Sequence, residues 1–525
     1  MTNRRQLACL LAAAVLCALF GTWASAGASS QTRQGSAKPS LASALRVTVG
    51  SGASGAVIPP DFLGLSFETP TLHAPAMVTQ SPALVRLLNG LGTGVLRVSG
   101  DSVDHTQWLP SPSAPAPWAA ATLTPADLAR LAALMQASGW RLVLGLDLGH
   151  PMPAVAVEEA RAATASLGPA LAALEIGNEP DLYTRPPAQP FRSQLGASPL
   201  RPAGWGLGAY EAESETLATA LTEADLRTPL WGPDTATSRW LTGYAADRRI
   251  AVSALTLHLY PLDRCQRGRL TRGPSAYSLL SPNVRTRDAQ LIGRSVAVAS
   301  GYALPLRVDE TNSVACAGQP GVSDTFAAAL WALDVGLTAA REGAAGLNFH
   351  GGLGACNAGG TLVAPWYSPL CTLADGQLGA RPEYYALLLL RALEGCAFLQ
   401  ARYRTSHNVS VYALRAPDGT QRIVIDDGDV PAGRRAGAPP GSAPTGRAPG
   451  PVDVVVQTDP SYSHGGVIRL SAPSVYAKRG VRLGGRALRS DGSFPGTVST
   501  PIAGGAGRFT VPISAGSAAL VVLHR

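Results

Sequence analysis

Residues Leu171–Glu179, LAALEIGNE, set an apolar run of strand length directly against an amide and a carboxylate. A run apolar at nearly every position suits a strand covered on both faces, as in a parallel sheet. Seven more stretches share this texture: FLGLSFE from Phe62, GVLRVSG from Gly94, RLVLGLDL from Arg141, TPLWGPD from Thr228, VSALTLHLY from Val252, LPLRVDE from Leu304 and AGLNFHG from Ala345. Amphipathic, helix-like segments separate them, among them TPADLARLAALMQASG from Thr124, YEAESETLATALTEADL from Tyr210 and SDTFAAALWALDVGLTAAREG from Ser323. Thr124 and Ser323 are candidate N-caps, each with an acidic residue in the first turn. Eight strands alternating with helices predict a (β/α)8 TIM barrel over residues 58–396 in preference to an open doubly wound sheet.

Beyond the helix PEYYALLLLRALEG the pattern shortens to alternating runs such as SVYALRA, RIVIDDG, VDVVVQ, GVIRLSA, GRFTVPI and AALVVLHR. These predict a C-terminal antiparallel β-sandwich over residues 397–525. The Pro-, Gly- and Arg-rich insert Pro431–Pro451 reads as a disordered loop within it. The early run LRVTVG from Leu45, within residues 44–57, precedes the barrel and is expected to cross over and join the sandwich.

At the N-terminus Arg4 and Arg5 precede LACLLAAAVLCALFGTW, and Ala24-Ser25-Ala26 supplies a small-residue cleavage pattern. Residues 1–26 therefore read as a secretory signal peptide, and 27–43 as a flexible lead-in. The expected destination is extracellular or the cell envelope, with no membrane span once the signal is removed. The formal charge of +8 falls by two when Arg4 and Arg5 leave. The remaining arginines are dispersed and the only lysines are Lys38 and Lys478, so a nucleic-acid footprint is a poor reading. A monomer is expected.

Of 7 cysteines, Cys9 and Cys17 belong to the signal. An oxidising destination permits Cys356 to pair with Cys371 across a short loop, and Cys265 with Cys316 between two loops on one barrel face. Cys396 is then left as a buried small hydrophobe. No C-x-x-C spacing supports a metal site, and no cofactor is expected.

Reactive groups of a (β/α)8 barrel belong at the C-terminal ends of its strands. Glu179 ends the fourth and Glu310, in LPLRVDETNS, the seventh, so both face one cavity. A lone strand-end glutamate is usually a solvated or paired charge. Two across one mouth are what glycoside hydrolysis needs, one carboxyl to protonate the leaving oxygen and one to attack the anomeric carbon. Asn178 could bond a sugar 2-hydroxyl, with Pro180 holding Glu179 extended.

Asn-Glu-Pro at the end of strand four, with a second Glu ending strand seven, resembles the clan A retaining glycosidases. More narrowly, FLGLSFE, LRVSGDSVDHTQW, LEIGNEPDLY, ALTLHLYP, DETNSVACAGQPGVSDTFAAALWALD and GLNFHGG resemble the heparanase and β-glucuronidase family, glycoside hydrolase family 79, from residue 58 to about 352. The resemblance implies a secreted retaining β-glycosidase with Glu179 as acid/base and Glu310 as nucleophile. It implies that Asn178 and Glu68 bind the sugar, that His258, Tyr260 and His350 line its pocket, and that Arg97 supports a catalytic carboxylate. Asp101, with Arg97 and His258, also reads as structural support. In characterised relatives tyrosine hydroxyls and backbone amides hold the uronate. Here the strand-seven loop SVACAGQPG lacks a tyrosine, leaving Tyr260 and Tyr367 as candidates. A glucuronide or acidic glycoconjugate is the leading substrate; a non-uronic β-glycoside, or an inactive carbohydrate-binding protein, stands as the alternative. Trp366 could stack on a sugar or pack its loop, and Asn408-Val409-Ser410 matches a glycosylation acceptor by chance or by design.

Overall fold

The computed structural model describes residues 44–265, 273–430 and 450–525. The signal peptide, the lead-in and nearly all of the loop expected over 431–451 lie outside these residues. Eight parallel strands close a barrel: Leu63–Glu68, Val95–Ser99, Arg141–Leu146, Leu171–Ile176, Leu230–Thr235, Val252–Leu259, Leu306–Thr311 and Gly346–Gly351, called strands one to eight in that order. Six of the eight are buried along their whole length or all but one residue. That double-sided burial is why they read as continuous apolar runs.

Each crossover returns through a helix. Thr124 caps Pro125–Ser138 by a reciprocal bond with Asp127, and Pro125 occupies the first turn, where its missing N–H costs nothing. Ser323 does not cap the next predicted helix. Phe326–Glu342 starts two residues later, with Thr325 at its N-cap. The Ser323 hydroxyl is engaged instead with Gln319 N–H and Ser313. The first free amides of the helix, Phe326 and Ala327, donate to Ala477 and Val475 carbonyls of the C-terminal domain. This helix is buried at every position from Phe326 to Ala340, so it is not amphipathic as its sequence suggested. It is covered by the barrel on one side and the C-terminal sheet on the other.

The C-terminal domain is an 11-stranded sheet folded over a core of its own. Val409, Val411 and Ala413 enter that core with Ile423, Ile425, Val521 and Phe509. The alternate residues Tyr412, Leu414, Val424 and Leu520 join the barrel's core with Leu330, Leu333 and Leu337. Period-2 alternation thus gives the sheet one face for itself and one for the barrel. The strand Leu45–Val57 inserts between Ala397–Tyr403 and Val452–Gln457. It runs antiparallel to the former and parallel to the latter, so the domain is mixed and not wholly antiparallel. A connection through an entire barrel makes that parallel pair possible, since parallel neighbours need a long crossover. No helix among the described residues is long and apolar enough to cross a membrane.

Disulfides join Cys265 to Cys316 and Cys356 to Cys371, and Cys396 is a buried free thiol. The Asn408 amide donates to the Leu280 and Gly428 carbonyls and accepts from Arg285. Both N–H groups are engaged, one across to the barrel at Leu280 and one within the C-terminal domain at Gly428, so the amide is not presented as a glycan acceptor.

Candidate active site

Arg97, on strand two, is fully buried and organises the floor of the barrel mouth. Its guanidinium donates to Glu175 (2.8 Å), Ser66 (3.0 Å), Glu310 (2.9 Å), Asn178 (2.8 Å) and Asp234 (2.6 Å). All five lie on or just beyond strands one, four, five and seven, so one side chain ties half the barrel together. A planar guanidinium with five donors suits this better than an ammonium could.

Glu179 departs from its expected conformation. Strand four ends at Ile176, and the chain turns through Gly177 (φ 77°) to Glu179 at φ 47°, ψ 49°. Glu179 is therefore in the left-handed region and not extended before Pro180. Such a residue costs of the order of 1–3 kcal/mol and persists only where its surroundings over-determine it. Here the Glu179 N–H donates to the Asp234 carbonyl at 2.8 Å, and Asp181 receives Ala236 N–H and the Thr237 hydroxyl. The turn is thus sewn to the end of strand five.

His258, on strand six, stands between the carboxylates. Its Nδ1 lies 2.9 Å from Glu179 Oε1 and 3.9 Å from Glu310 Oε1, while Nε2 lies 2.7 Å from Asp234 Oδ1. Burial opposes a charge on the ring, but Glu310, Asp234 and Glu179 outweigh it and hold the imidazolium well above the ordinary histidine range. Tyr260 donates its hydroxyl to Glu310 Oε1 at 2.8 Å. His350 lies with Nδ1 3.6 Å from Glu310 Oε2 and 3.1 Å from the Ser66 hydroxyl. Tyr367 closes this side, its ring centroid 5.9 Å from Tyr260 and 5.7 Å from His350.

The two glutamates are driven apart in acidity. Burial raises Glu310, yet His350, His258 and Arg97 prevail and bring it down to about 2. Burial likewise raises Glu179. There the His258 contact only partly offsets it, and the Glu310 and Asp181 charges push the same way as burial, so Glu179 stays above its ordinary value. Carboxylate oxygens of Glu179 and Glu310 and a ring nitrogen of His258 all lie within 4.8 Å of one another. Such a set could offer ligands to a cation, as could Asp234, His258 and Asp309. Both His258 nitrogens, however, are already committed to carboxylates.

Glu68 lies on the same mouth, with its carboxylate cradled by Asp101 N–H (3.2 Å), Ser102 N–H (2.8 Å) and the Ser102 hydroxyl (2.6 Å). Gly100 permits this. It has φ 78°, and a Cβ there would sit 2.5 Å from the Glu68 carboxyl. Asn178 Nδ2 donates to Asp101 at 3.2 Å, which keeps Asp101 beside Glu179. Burial, then the Glu179 and Glu68 charges, hold Asp101 well above the carboxylate range. Trp366 lies against Gly359 and beneath the Lys478 ammonium, so it packs its loop.

Several groups of this floor escaped the sequence reading. Asp234 ends strand five as Glu310 ends strand seven, and the same strand-end rule would have found it. Glu175 is the single charge inside the apolar strand four, a signal of an inward-facing polar residue, and Asp309 lies between Arg307 and Glu310 in the charged strand seven. Asp309 receives no donor, and burial with the Glu175 and Asp234 charges raises it well above the carboxylate range. Asp104 binds Tyr183 OH (2.6 Å) and the amides of Leu148, Gly149 and Asn178, fixing the loops after strands three and four.

No protein-family model matches the chain. Over 238 residues it is 28% identical to a β-glucuronidase of Neurospora crassa, a region covering 42% of this chain and 39% of that protein. The match thus spans well under half of that relative. Among solved structures, the 4-O-α-L-rhamnosyl-β-D-glucuronidase of Fusarium oxysporum 12S superposes with TM-score 0.70 at 19% identity, covering 91% of this chain and 100% of that one. The GH51 arabinofuranosidase of Xanthomonas axonopodis pv. citri superposes at 0.61 and 14% identity, over 92% and 100% of the two chains. A closed parallel barrel carrying a separate β-sheet domain is therefore the architecture this chain shares with these glycoside hydrolases.

Proposed function

We propose that the chain is a retaining β-glycosidase that cleaves a β-glucuronide, or a glycoconjugate bearing one, with Glu310 as nucleophile and Glu179 as acid/base. One observation carries this reading: oxygens of the two carboxyl groups approach within 4.8 Å across the mouth. Retaining enzymes hold their carboxyl groups about 5–5.5 Å apart, whereas inversion needs about 6.5–9.5 Å to admit a water. The opposed acidities of the pair support the same roles.

In the first step a Glu310 oxygen bonds to the anomeric carbon as the bond to the leaving oxygen breaks, and Glu179 gives that oxygen its proton. In the second, Glu179 takes a proton from water, the water oxygen bonds to the anomeric carbon, and Glu310 leaves as carboxylate. Tyr260 and Arg97 steer Glu310 between them, one at each oxygen. The two residues suffice for this chemistry without metal or cofactor. Glucuronide as substrate rests on the partial likeness to a β-glucuronidase. Export through the leader at residues 1–26 is part of the proposal, and two disulfides accord with an oxidising destination.

A panel of 4-nitrophenyl β-glycosides tests this. Turnover of the glucuronide, but not of the glucoside or xyloside, is expected. Glu310→Gln should lower kcat by at least about 10⁴-fold, and azide should restore part of the turnover lost in Glu179→Ala. Full activity in either variant would overturn the assignment, and hydrolysis of the glucoside alone would move the substrate to a non-uronic sugar.

A further inference from the structure

The loops after strands six and seven meet in a short parallel pair, Leu262–Asp263 beside Val314–Ala315. Tyr260, which bonds Glu310, stands two residues before Leu262, and Glu310 four before Val314. Just beyond this pair, Cys316 (φ 64°), Ala317 (φ 63°) and Gly318 (φ 79°) form a run of left-handed residues. Glycine adopts that backbone freely. A residue with a Cβ stays in it only where its surroundings hold it, and here two such residues stand in succession.

The turn is held from three sides. Cys316 is bonded to Cys265, Arg264 donates to the Gly318 carbonyl at 2.7 Å, and the Ala317 carbonyl accepts the Trp366 N–H at 2.8 Å. The turn also lies against the chain leading to Tyr367, since a Cβ on Gly318 would stand 3.0 Å from the Tyr367 nitrogen. Tyr367 faces Tyr260 and His350 on the Glu310 side of the mouth. The Cys265–Cys316 bond is thus the covalent member of a set that reaches both tyrosines, Tyr260 through Leu262–Asp263 and Tyr367 through Ala317. Cys265 and Cys316 are both half-buried, so a small thiol can reach the bond, whereas Cys371 of the other disulfide is 1% exposed. Cys316 Sγ lies 3.7 Å from Asp263 Oδ1, so a thiol freed there has an acceptor in place.

We propose that Cys265–Cys316 is a redox latch on the active site. Intact, it keeps the turn after strand seven in place and holds Tyr260 and Tyr367 on Glu310; reduced, it lets the turn relax and that wall draw back. The latch rests on the glycosidase reading for its consequence, which is that turnover needs an oxidising setting. A dithiol opens it by two exchanges. One thiolate attacks a cystine sulfur and breaks the S–S bond, and the second thiol then closes on the mixed disulfide. The protein gains two electrons and two protons as two thiols, and the dithiol leaves as a cyclic disulfide.

The full chain is assayed on 4-nitrophenyl β-glucuronide before and after reduction with dithiothreitol. EDTA is present because the two freed thiols and Asp263, with ligand atoms within 4.8 Å of one another, would hold stray metal. Reduction should lower kcat/KM about tenfold, the effect of losing the Tyr260 bond to an ionised Glu310, and reoxidation should restore it. The loss should persist in a Cys356→Ala/Cys371→Ala chain and be absent from a Cys265→Ser/Cys316→Ser chain, which starts at the reduced level. In a Tyr260→Phe background, opening the latch should cost about threefold or less, because one bond cannot be lost twice. Hydrogen exchange at the Trp366 N–H should quicken on reduction, whatever the chain turns over. The proposal is overturned by full activity of the reduced chain, by a loss that follows Cys356–Cys371 instead, by an equal loss with and without Tyr260, or by unchanged exchange at Trp366. Failure of the glycosidase reading would look different. The oxidised wild type would turn over no glycoside, while exchange at Trp366 would still respond to reduction.

Discussion

Replacing His258 by Gln removes the positive charge between the two glutamates while keeping a side chain able to bond one of them. The imidazolium sits 3.9 Å from Glu310, and at an effective dielectric of about 20 such a pair is worth roughly 4 kcal/mol, or about 3 pKa units. Water entering the enlarged mouth will recover part of this, so the expected rise in the Glu310 pKa is about 1–3 units. From about 2 it should then titrate at roughly 3–5, with Arg97 and His350 still in place. The sign for Glu179 is the same, because the His258 contact and charge both lower it. In the proposed mechanism activity requires Glu310 ionised and Glu179 protonated, so it is lost below the first pKa and above the second. In the wild type no acid limb should appear in kcat/KM down to about pH 3, since Glu310 is still ionised there. His258→Gln should bring an acid limb into view at about pH 3–5 and move the alkaline limb upward as well. The profile is measured on an aryl glycoside, with each pH point corrected for enzyme surviving a return to neutral pH. An unchanged profile, or limbs that move in opposite directions, would refute the electrostatic account of the site.

Tyr260→Phe deletes one hydrogen bond to Glu310, and since the acceptor is ionised, kcat/KM should fall roughly 10- to 100-fold, with the acid limb shifted up. A loss below about twofold would show that Tyr260 does not steer the nucleophile. Replacing Cys356 and Cys371 together by Ala opens a crosslink of sequence separation 15 and should cost about 3 kcal/mol, read as a lower denaturant midpoint than the oxidised wild type. Phe509→Ala empties a fully buried position of the C-terminal domain and should cost about 3–5 kcal/mol. Because that sheet also packs on the barrel helix Phe326–Glu342, activity and sheet structure should be lost in one transition, and two separated transitions would show the domains to be independent.

The barrel was legible because its strands are buried on both faces, which writes each one as an unbroken apolar run. The strand-end rule then located Glu179 and Glu310 without help from structure. What stayed hidden has physical causes. The run AFLQARY has no clean alternation, since the strand Ala397–Tyr403 is exposed at Gln400 and Arg402 yet buried at Phe398 and Leu399. The parallel partner of Leu45–Val57 lies some four hundred residues along the chain, and local pattern carries no information about such a pairing. Ser323 has every local mark of an N-cap, but the carbonyls of Val475 and Ala477 arrive from another domain and satisfy the helix end in its place. The left-handed turn at Glu179 is likewise invisible locally, because it is held by the Asp234 carbonyl of the neighbouring strand five.

The charges of the floor explain why Glu179, the proposed acid, is raised above its ordinary value. Five carboxyls, Glu175, Glu179, Asp234, Asp309 and Glu310, surround two cations, Arg97 and the His258 imidazolium. Ionising all five in a site this dry would leave several uncompensated buried charges, which is far costlier than protonating the surplus. Asp234 and Glu310 are each held below the ordinary range against burial by the positive groups around them. Glu175, Asp309 and Glu179 are raised by burial and by the carboxylates beside them. The Glu179 proton is therefore set by the balance of the whole cluster, and Glu310 is one of the charges that keeps it there. In the proposed double displacement, esterification of Glu310 removes that negative charge. Glu179 then becomes more acidic at the moment it must turn from acid to base. The arrangement that makes Glu310 a ready nucleophile thus also releases Glu179 for the second step, and no further titrating group is required to move the proton.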